Sequence, residues 1–578
     1  MPVQNAEIAA IFNDYADLLE IDGANQYRVR AYRTAARNIN SSSQSAAYMV
    51  KQNKDLSEIP GVGEDLAGKI TEIVTTGKLS HLEEIKQRIS PELLEIMKLS
   101  NLGPKRTKIL NQKLGITSIK QLEKAAREQK IREVSGFGAK TEEKILAELE
   151  QEEKTLGEKK RLKISDVEEL SGPLLAYLEK VTGVEKVSAA GSYRRGMETI
   201  GDLDILVTHQ KDSSIMERFV EYEDVRQVVS KGTTRSTVIL HRGFHVDLRA
   251  VPEASYGAAL HYFTGSKAHN VAIRQMGVKR GLKINEYGVF RGEKRIAGKT
   301  EEEVYQQVDL PYIEPELREN RGEIEAAHSG QLPKLITQQD IRGDFHTHTN
   351  ATEGRASLED MARAAQEKGY EYLAITDHSK RLSMTHGLDA NRLDEQIKKI
   401  DGLNKNLKDF VVLKGIEVDI LEDGSLDLDN SILKKLDIVV CSVHYKFQLP
   451  RAKQTERIIK AITNSPVCTI LAHPTGRLIG EREPYDVDME RLMKAAKDRG
   501  CILELNAQPE RLDLTDVYCK MAKENGVMIA ISSDAHSIEE LNVMRFGIHQ
   551  ARRGWLETED VLNTRKWAEL EKILQQRR

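Results

Sequence analysis

A chain of 578 residues is too long for one hydrophobic core and points to three or more domains. Its 86 basic and 90 acidic side chains leave a net charge of -4, which excludes a protein basic throughout, so contact with nucleic acid has to come from local patches. Cys441, Cys468, Cys501 and Cys519 form no CxxC pair and read as buried free thiols, and no apolar run approaches the roughly 20 residues that span a bilayer, which predicts a soluble, cytoplasmic protein with no membrane partner.

The opening segment carries Glu7, Asp14, Asp17 and Glu20 inside an amphipathic helical pattern, unlike a signal peptide. QYRVRAYR (Gln26 to Arg33) then interleaves Tyr27 and Tyr32 with Arg28, Arg30 and Arg33. That composition suits base stacking and the holding of a phosphate, and it suits a charged helix face equally. IPGVGEDLAGKI (Ile59 to Ile70) is echoed by LSNLGPKRTKIL (Leu99 to Leu110) and VSGFGAKTEEKIL (Val134 to Leu146). Each repeat sets a hydrophobic residue between two turn residues, Gly61 and Gly63, Asn101 and Gly103, or Gly136 and Gly138, and then opens a helix. The first turn position tolerates positive φ, and the helix N-terminus offers backbone N–H groups to a phosphate without reading sequence. One GxG is an ordinary turn. Three copies followed by Lys69, Lys105, Arg106 and Lys140 predict helix-hairpin-helix DNA binding, and the last two could grip the two sides of a break, though the sequence alone does not place them.

Beyond the charged run EEKTLGEKKR (Glu152 to Arg161) lies AAGSYRRGMETIGDLDILV (Ala189 to Val207). Asp202 and Asp204 are two apart on a strand pattern, so both carboxylates share one face while Leu203 and Ile205 pack on the other. FHVDLRAV alternates the same way and presents Asp247 beside His245 and Arg249. Three carboxylates on neighbouring strands can hold two Mg²⁺ ions roughly 3.5 to 4 Å apart, the arrangement for in-line attack of a hydroxyl on phosphorus. Gly191, Ser192 and Arg195 on the preceding turn, with Gly201 opening GDLD, can hold a triphosphate tail. YFTGSKAHNVAIR (Tyr262 to Arg274) follows; by itself YFTGS, with Gly265 in the turn, reads as a strand end.

The last third carries DFHTH (Asp344 to His348), Glu353, TDH with His378, GIEVD with Glu417, SVH with His444, LAHP with His473, and SDAH with Asp534 and His536. Nearly all follow an apolar run such as YLAIT, FVVLKGI, DIVVCSV, CTILA or VMIAIS, so they converge at one rim if these runs are parallel strands of a barrel. Seven such runs favour seven strands over eight. Imidazoles and carboxylates in this number suit two or three divalent ions.

These last 240 or so residues resemble the PHP (polymerase and histidinol phosphatase) phosphoesterases, and the whole chain resembles a bacterial or archaeal-type family X DNA polymerase with that domain appended. The PHP resemblance implies one ion held by His346, His348, Glu417 and Asp534, a second by Glu417, His444 and His473, and a third by Glu353, His378 and His536, with Mn²⁺ or Zn²⁺ as occupants. Glu353 stands where that family usually has aspartate. Asp344 and Asp377 would orient ligand histidines. The polymerase resemblance implies that Asp202 and Asp204 bind both Mg²⁺ ions and that Asp247 helps activate the primer 3′-hydroxyl. Tyr262 and Phe263 would lie beside the incoming sugar, with Asn270 and Arg274 at the minor-groove edge of the nascent pair and template. Lys69 would correspond to the Schiff-base lysine of relatives that remove 5′-deoxyribose phosphate, which needs an unprotonated amine, while a neighbouring family lysine is Asp65 here.

The expected architecture is multidomain α/β: helical domains at 1–84 and 85–158, a nucleotidyltransferase palm at 159–255, a thumb-like nucleotide-selection domain at 256–316, a linker at 317–338, and a distorted seven-stranded (β/α) barrel at 339–578. The expected protein is a nucleoid-associated monomer that binds gapped or nicked DNA and dNTPs. It fills short gaps in repair and uses the second centre as a 3′-5′ exonuclease, abasic-site endonuclease or end-cleaning phosphoesterase. Two other classes fit parts of the pattern: a template-independent nucleotidyltransferase, and a DNA-end-bridging protein with a structural metal cluster.

Overall fold

All three repeats share one backbone hydrogen bond. The N–H of the enclosed hydrophobe donates to the carbonyl three residues back, Val62 to Ile59 (3.0 Å), Leu102 to Leu99 (3.1 Å) and Phe137 to Val134 (2.9 Å). All three hydrophobes are buried. Gly61 and Gly136 hold φ of 79° and 94°, where a side chain would be strained. The helices Glu64–Thr76, Pro104–Leu114 and Ala139–Lys154 follow. This computed structural model describes residues 5–40, 46–51, 54–90, 92–99, 102–154, 161–210, 212–381, 385–464 and 469–576; Asn101, Cys468 and most of the charged run near residue 157 lie outside them.

The chain divides into two compact units, Met1–Lys160 and Arg161–Arg578. The first is helical throughout its described residues. Its two expected domains contribute to one apolar cluster that runs from Ile8 through Leu66 and Leu110 to Ile145, so they share a core.

The second unit begins with a five-stranded sheet in the spatial order Val184–Ala189, Asp202–His209, His245–Ala250, Arg235–Leu240, Val225–Ser230. Only the second and third of these run parallel. Leu203, Ile205, Val246 and Leu248 point into a core shared with the helices Ile164–Glu179 and Ile215–Val220, which leaves the alternate carboxylates on the opposite face. The segment YFTGS is not a strand end. Tyr262 to Thr264 close the helix Tyr256–Thr264, Gly265 turns with φ 70°, and Ser266 caps the helix Lys267–Lys279 by accepting the N–H of His269. The alanines favour helix here over the strand that the aromatic pair alone implies, and Gly257 lets the Thr300 backbone approach the helix closely.

Residues 317–338, expected as a linker, are packed. Leu317, Ala327 and Leu335 join the thumb-like core, and Glu323–His328 is helical. The charges that read as solvated are paired inside: buried Arg318 donates to Glu301 and to the Ile313 carbonyl, and buried Glu323 accepts from His269 and from the Asn320 and Arg321 amides.

The remainder is a nearly closed barrel of seven parallel strands in sequence order: Gly343–Asp344, Tyr372–Ile375, Val411–Asp419, Ile438–Ser442, Ile470–Leu471, Ile502–Asn506 and Ile529–Ser532. Tyr372, Ala374, Leu413, Val440, Ile470, Ile502 and Ala530 fill one apolar cluster, and the alternate residues pack into another with the flanking helices, which is why the strands read as continuous apolar runs. The first and last strands form no regular ladder. Buried Asn563 bridges them, donating to the carbonyls of Gly343 (2.8 Å) and Ile531 (2.7 Å) and accepting the Ile531 N–H (2.8 Å). Asn563→Ala leaves buried backbone groups unpaired and is expected to cost about 3 kcal/mol, read from the urea midpoint. A change within about 0.5 kcal/mol would mean that other groups close the gap.

Two candidate metal centres

The palm register sets Asp204 opposite Asp247 and Asp202 opposite His245 on adjacent parallel strands. Burial, then the charges of Asp202 and Asp247, push Asp204 up to about 6. Asp247 is anchored by the Thr237 hydroxyl and by Arg235 Nη2 at 2.9 Å. Three carboxylates gathered on one face at mutual electrostatic cost are a donor set suited to divalent cations. Gly191 and Ser192 lie on the four-residue helix Gly191–Arg194, and a Cβ at Gly191 would sit 2.6 Å from Asp204 Oδ2, so glycine permits that approach.

Arg195, just past this helix, is held by its neighbours. Nε donates to Glu319 (2.9 Å) and Nη1 to the Thr264 carbonyl (2.5 Å). Gly201 packs by the guanidinium of Arg161. Tyr262 and Phe263 meet edge to face at 5.1 Å, with Arg249 over Phe263 at 4.3 Å. Asn270 is buried and its amide donates to the Tyr262 carbonyl (2.7 Å), so it braces that tyrosine, while its side-chain oxygen makes no hydrogen bond. Arg274, one turn on, is exposed.

In the barrel Glu417 is the hub. Oε1 lies 3.1 Å from His473 and 3.2 Å from His444; Oε2 lies 2.8 Å from His378, 3.3 Å from His346 and 3.8 Å from His348. Asp534 Oδ1 sits 3.1 Å from His348 and 3.6 Å from His346. Glu353 Oε1 reaches His378 (2.5 Å) and His536 (2.9 Å), so the longer side chain spans the place where aspartate is usual. Three overlapping groups result: His346, His348 and Asp534; His378, Glu417 and His444; His348, Glu353, His378 and His536. His348 and His378 are each shared between two groups, a finer partition than the resemblance implies. His346 Nε2 and His378 Nδ1 are buried, make no hydrogen bond and still face carboxylate oxygens, as nitrogens that share an ion would. Burial disfavours the imidazolium, yet Glu417 and Glu353 carry His378 up to about 10, and Glu417 and Asp419 carry His444 up to about 9. A divalent ion replaces such protons. His473 and Asp534 hold φ of 27° and 51°, strain that a packed site retains.

The groups that orient the histidines differ from those expected. Asp344 accepts the backbone N–H groups of His346 and Ser533, and Asp377 accepts from Thr349, Thr352 and Gln396; neither hydrogen-bonds an imidazole. Glu504 and Asp419 do that work. Glu504 accepts from His346 Nδ1 and from the His473 N–H, both at 2.7 Å, and Asp419 Oδ1 lies 3.2 Å from His444 Nδ1. Both were visible as charges in otherwise apolar strands, Glu504 in ILELN and Asp419 two residues after Glu417 on the same face. Glu504→Gln should weaken metal binding 10- to 100-fold, the usual scale for such partners, measured by titrating metal-free protein. Unchanged affinity would remove Glu504 from that role.

In the first unit Gly63, Gly103 and Gly138 have open space where a Cβ would stand, and Lys105 and Lys140 are exposed, as phosphate contacts require. Arg106 lies over Phe137 at 5.6 Å, which puts the second and third repeats side by side. Tyr27 is 79% exposed, and Arg28 donates to Tyr15. Tyr32 cannot stack on a base: it is buried edge to face against Phe12 and Tyr15. Lys69 is buried beneath it and paired with Asp65. Burial favours the neutral amine, but hydrogen bonding to Asp65 and the influence of Tyr32 outweigh it and raise the pKa, opposite to what a Schiff-base nucleophile needs.

Family models match in chain order: a helix-hairpin-helix domain (residues 3–79), a SAM-like helix-hairpin-helix tandem (93–151), the DNA polymerase beta palm (161–244), the DNA polymerase beta thumb (259–319) and the PHP domain (344–508). The DNA polymerase/3′-5′ exonuclease PolX of Bacillus subtilis is 38% identical over 98% of this chain and 99% of its own length. The chain belongs to the family X DNA polymerases with a C-terminal PHP domain. A probable phosphatase of Thermoanaerobacter sp. (strain X514) is 32% identical over 38% of this chain and 89% of its own length, and one of Caldanaerobacter subterraneus is 34% identical over 33% and 75%. The family X palm and the PHP domain both use divalent ions, and the substrates of the palm are DNA and dNTPs. Cys441, Cys501 and Cys519 are buried free thiols, and no described helix is long and apolar enough to cross a membrane.

Proposed function

We propose that this family X member fills short DNA gaps from dNTPs at the palm and trims DNA 3′ ends at the barrel rim. The carrying observation is that one compact unit holds two separate donor sets, three carboxylates in register on a sheet face and an imidazole-carboxylate cage around Glu417. Divalent ions bound there, two Mg²⁺ at the palm and two or three Mn²⁺ or Zn²⁺ in the cage, would neutralise phosphate charge and lower the pKa of the attacking oxygen. Asp202 and Asp204 would hold the palm ions, and Asp247, fixed by Thr237 and Arg235, would help draw the proton from the primer 3′-hydroxyl. Arg195 holds the triphosphate through its remaining guanidinium donors, and Tyr262, braced by Asn270, lies beside the sugar. In the barrel Glu504 and Asp419 fix the rings of His346 and His444, so the nitrogens facing Glu417 are the ones presented to the ions. The protein acts as a monomer in the cytoplasm, at the nucleoid.

A labelled primer on a one-nucleotide gap with a 5′-phosphate tests this, with and without dNTPs, in Mg²⁺ or Mn²⁺. Extension with dNTPs and shortening without them are expected. Extension of an untemplated primer would point to a template-independent transferase, and binding with neither product would point to a bridging protein.

A further inference from the structure

The GSYRRG turn of the palm touches the barrel directly. A Cβ at Gly196 would stand 3.3 Å from His549, on the barrel helix Met544–Arg553. At the end of that helix Arg553 is buried, and its guanidinium spans three partners. Nη1 donates to the Arg195 carbonyl and to Glu319 Oε1, each at 3.0 Å, and Nη2 donates to Asp516 at 2.8 Å. The same Glu319 oxygen accepts Arg195 Nε at 2.9 Å. Asp516 is pinned in turn by Arg321 at 2.8 Å. Flanking contacts bring the same faces together: Arg477 pairs with Glu198 at 2.7 Å, Arg545 with Glu168 at 3.0 Å, and Ile164 packs with Leu512 and Phe546.

Arg195 is therefore held at its backbone carbonyl by Arg553, which the barrel domain supplies, and at its guanidinium by Glu319, which Arg553 holds in turn. An arginine side chain carries about 2 kcal/mol of rotamer entropy that is lost when it clamps a phosphate. Fixing Nε and one Nη1 hydrogen in advance sets the plane of the guanidinium and leaves the remaining donors, both of Nη2 and one of Nη1, for the incoming triphosphate. Glu319 left alone would be a poor brace, because a carboxylate facing one arginine is free to move with it. Arg553, locked between Glu319 and Asp516, removes that freedom.

We propose that Arg553 of the PHP barrel, acting through Glu319, is a positioning residue for nucleotide binding at the polymerase site, so that the barrel contributes to dNTP affinity independently of its own chemistry. The inference rests on the reading of Arg195 as a triphosphate contact.

The test uses the full chain and single-nucleotide gap filling with varied dNTP, beside hydrolysis of bis-p-nitrophenyl phosphate in Mn²⁺. Arg195→Ala tests the underlying reading and should raise KM for dNTP. Arg553→Met and Glu319→Gln should each raise KM about tenfold, the scale of a charge-assisted hydrogen bond, with kcat and hydrolysis little changed. In the Arg195→Ala background Arg553→Met should add nothing, an outcome that a merely structural role would not give. If Arg195→Ala raises KM while Arg553→Met and Glu319→Gln do not, the proposal is overturned and the reading of Arg195 stands. If Arg195→Ala leaves KM unchanged, that reading fails and the proposal with it. Should Arg553→Met also lose hydrolysis through misfolding, Glu319→Gln decides: an unchanged KM there overturns the proposal.

Discussion

Asp204→Asn is expected to lower gap filling by about three orders of magnitude or more while phosphoester hydrolysis stays within about twofold, since metal-ion stabilisation of a phosphoryl-transfer transition state amounts to several kcal/mol. The charge of Asp204 is opposed by burial first and by Asp202 and Asp247 next. The same opposition gives a second readout. A carboxyl raised from 3.8 to about 6 in the folded state destabilises the fold once it ionises. That cost is absent below about pH 4, grows between about pH 4 and 6, where the unfolded chain ionises ahead of the folded one, and stays constant above. In chelator, Asp204→Asn should therefore be more stable than the parent at pH 7.5, by about 2 kcal/mol, with the gain shrinking toward pH 4. Bound ions should erase the difference in the parent. Loss of synthesis with no stabilisation in chelator would mean that the three charges do not repel in solution as the register implies, and retained synthesis would move the polymerase centre elsewhere.

The parts of the fold legible in the sequence are those where one physical rule acted alone. The three repeats were readable because each combines a buried hydrophobe with a helix start, joined in the first and third by a positive-φ glycine. The barrel was readable because strands buried on both faces leave unbroken apolar runs, each ending in a polar residue at the rim. The stretch from Leu317 to Gln338 was not, because buried ion pairs such as Arg318 with Glu301 are indistinguishable in sequence from solvated charge. Tyr32 misled for the converse reason: an aromatic between arginines matches a stacking platform, but helical spacing turns it to the core beside Phe12 while Tyr27 stays outside. The seam residue Asn563 lies far beyond both strands that it joins, and no local pattern marks it.

The site was legible to the same extent. Ligands at strand ends were visible because each interrupts an apolar run, whereas their partition among ions depends on rotamers: His378 directs Nδ1 to Glu417 and Nε2 to Glu353, and so joins two groups. Adjacency in sequence pointed to Asp344 and Asp377 as partners of the histidines beside them. In a barrel, however, the neighbour that reaches a ring comes from another strand, as Glu504 reaches His346, or from two residues on along the same strand face, as Asp419 lies beside Glu417.

Glu417→Gln should be the most damaging single change in the barrel. Its two oxygens face His346, His348, His378, His444 and His473, so the amide replaces a carboxylate common to these rings with a neutral group that keeps the shape. Burial would ordinarily raise a carboxyl, yet the surrounding imidazoles hold Glu417 well below its usual range, which shows how strongly the cage favours the anion. With that charge gone, ions at neighbouring positions lose their shared ligand. Hydrolysis is expected to fall by about three orders of magnitude or more and bound metal to drop in the same variant, while synthesis at the palm persists. Elemental analysis after dialysis, run beside both activity assays, checks each part. Full metal content with hydrolysis within tenfold of the parent would place the hydrolytic centre away from Glu417. Loss of synthesis as well, in a protein that remains folded, would show that the two centres are not chemically separate.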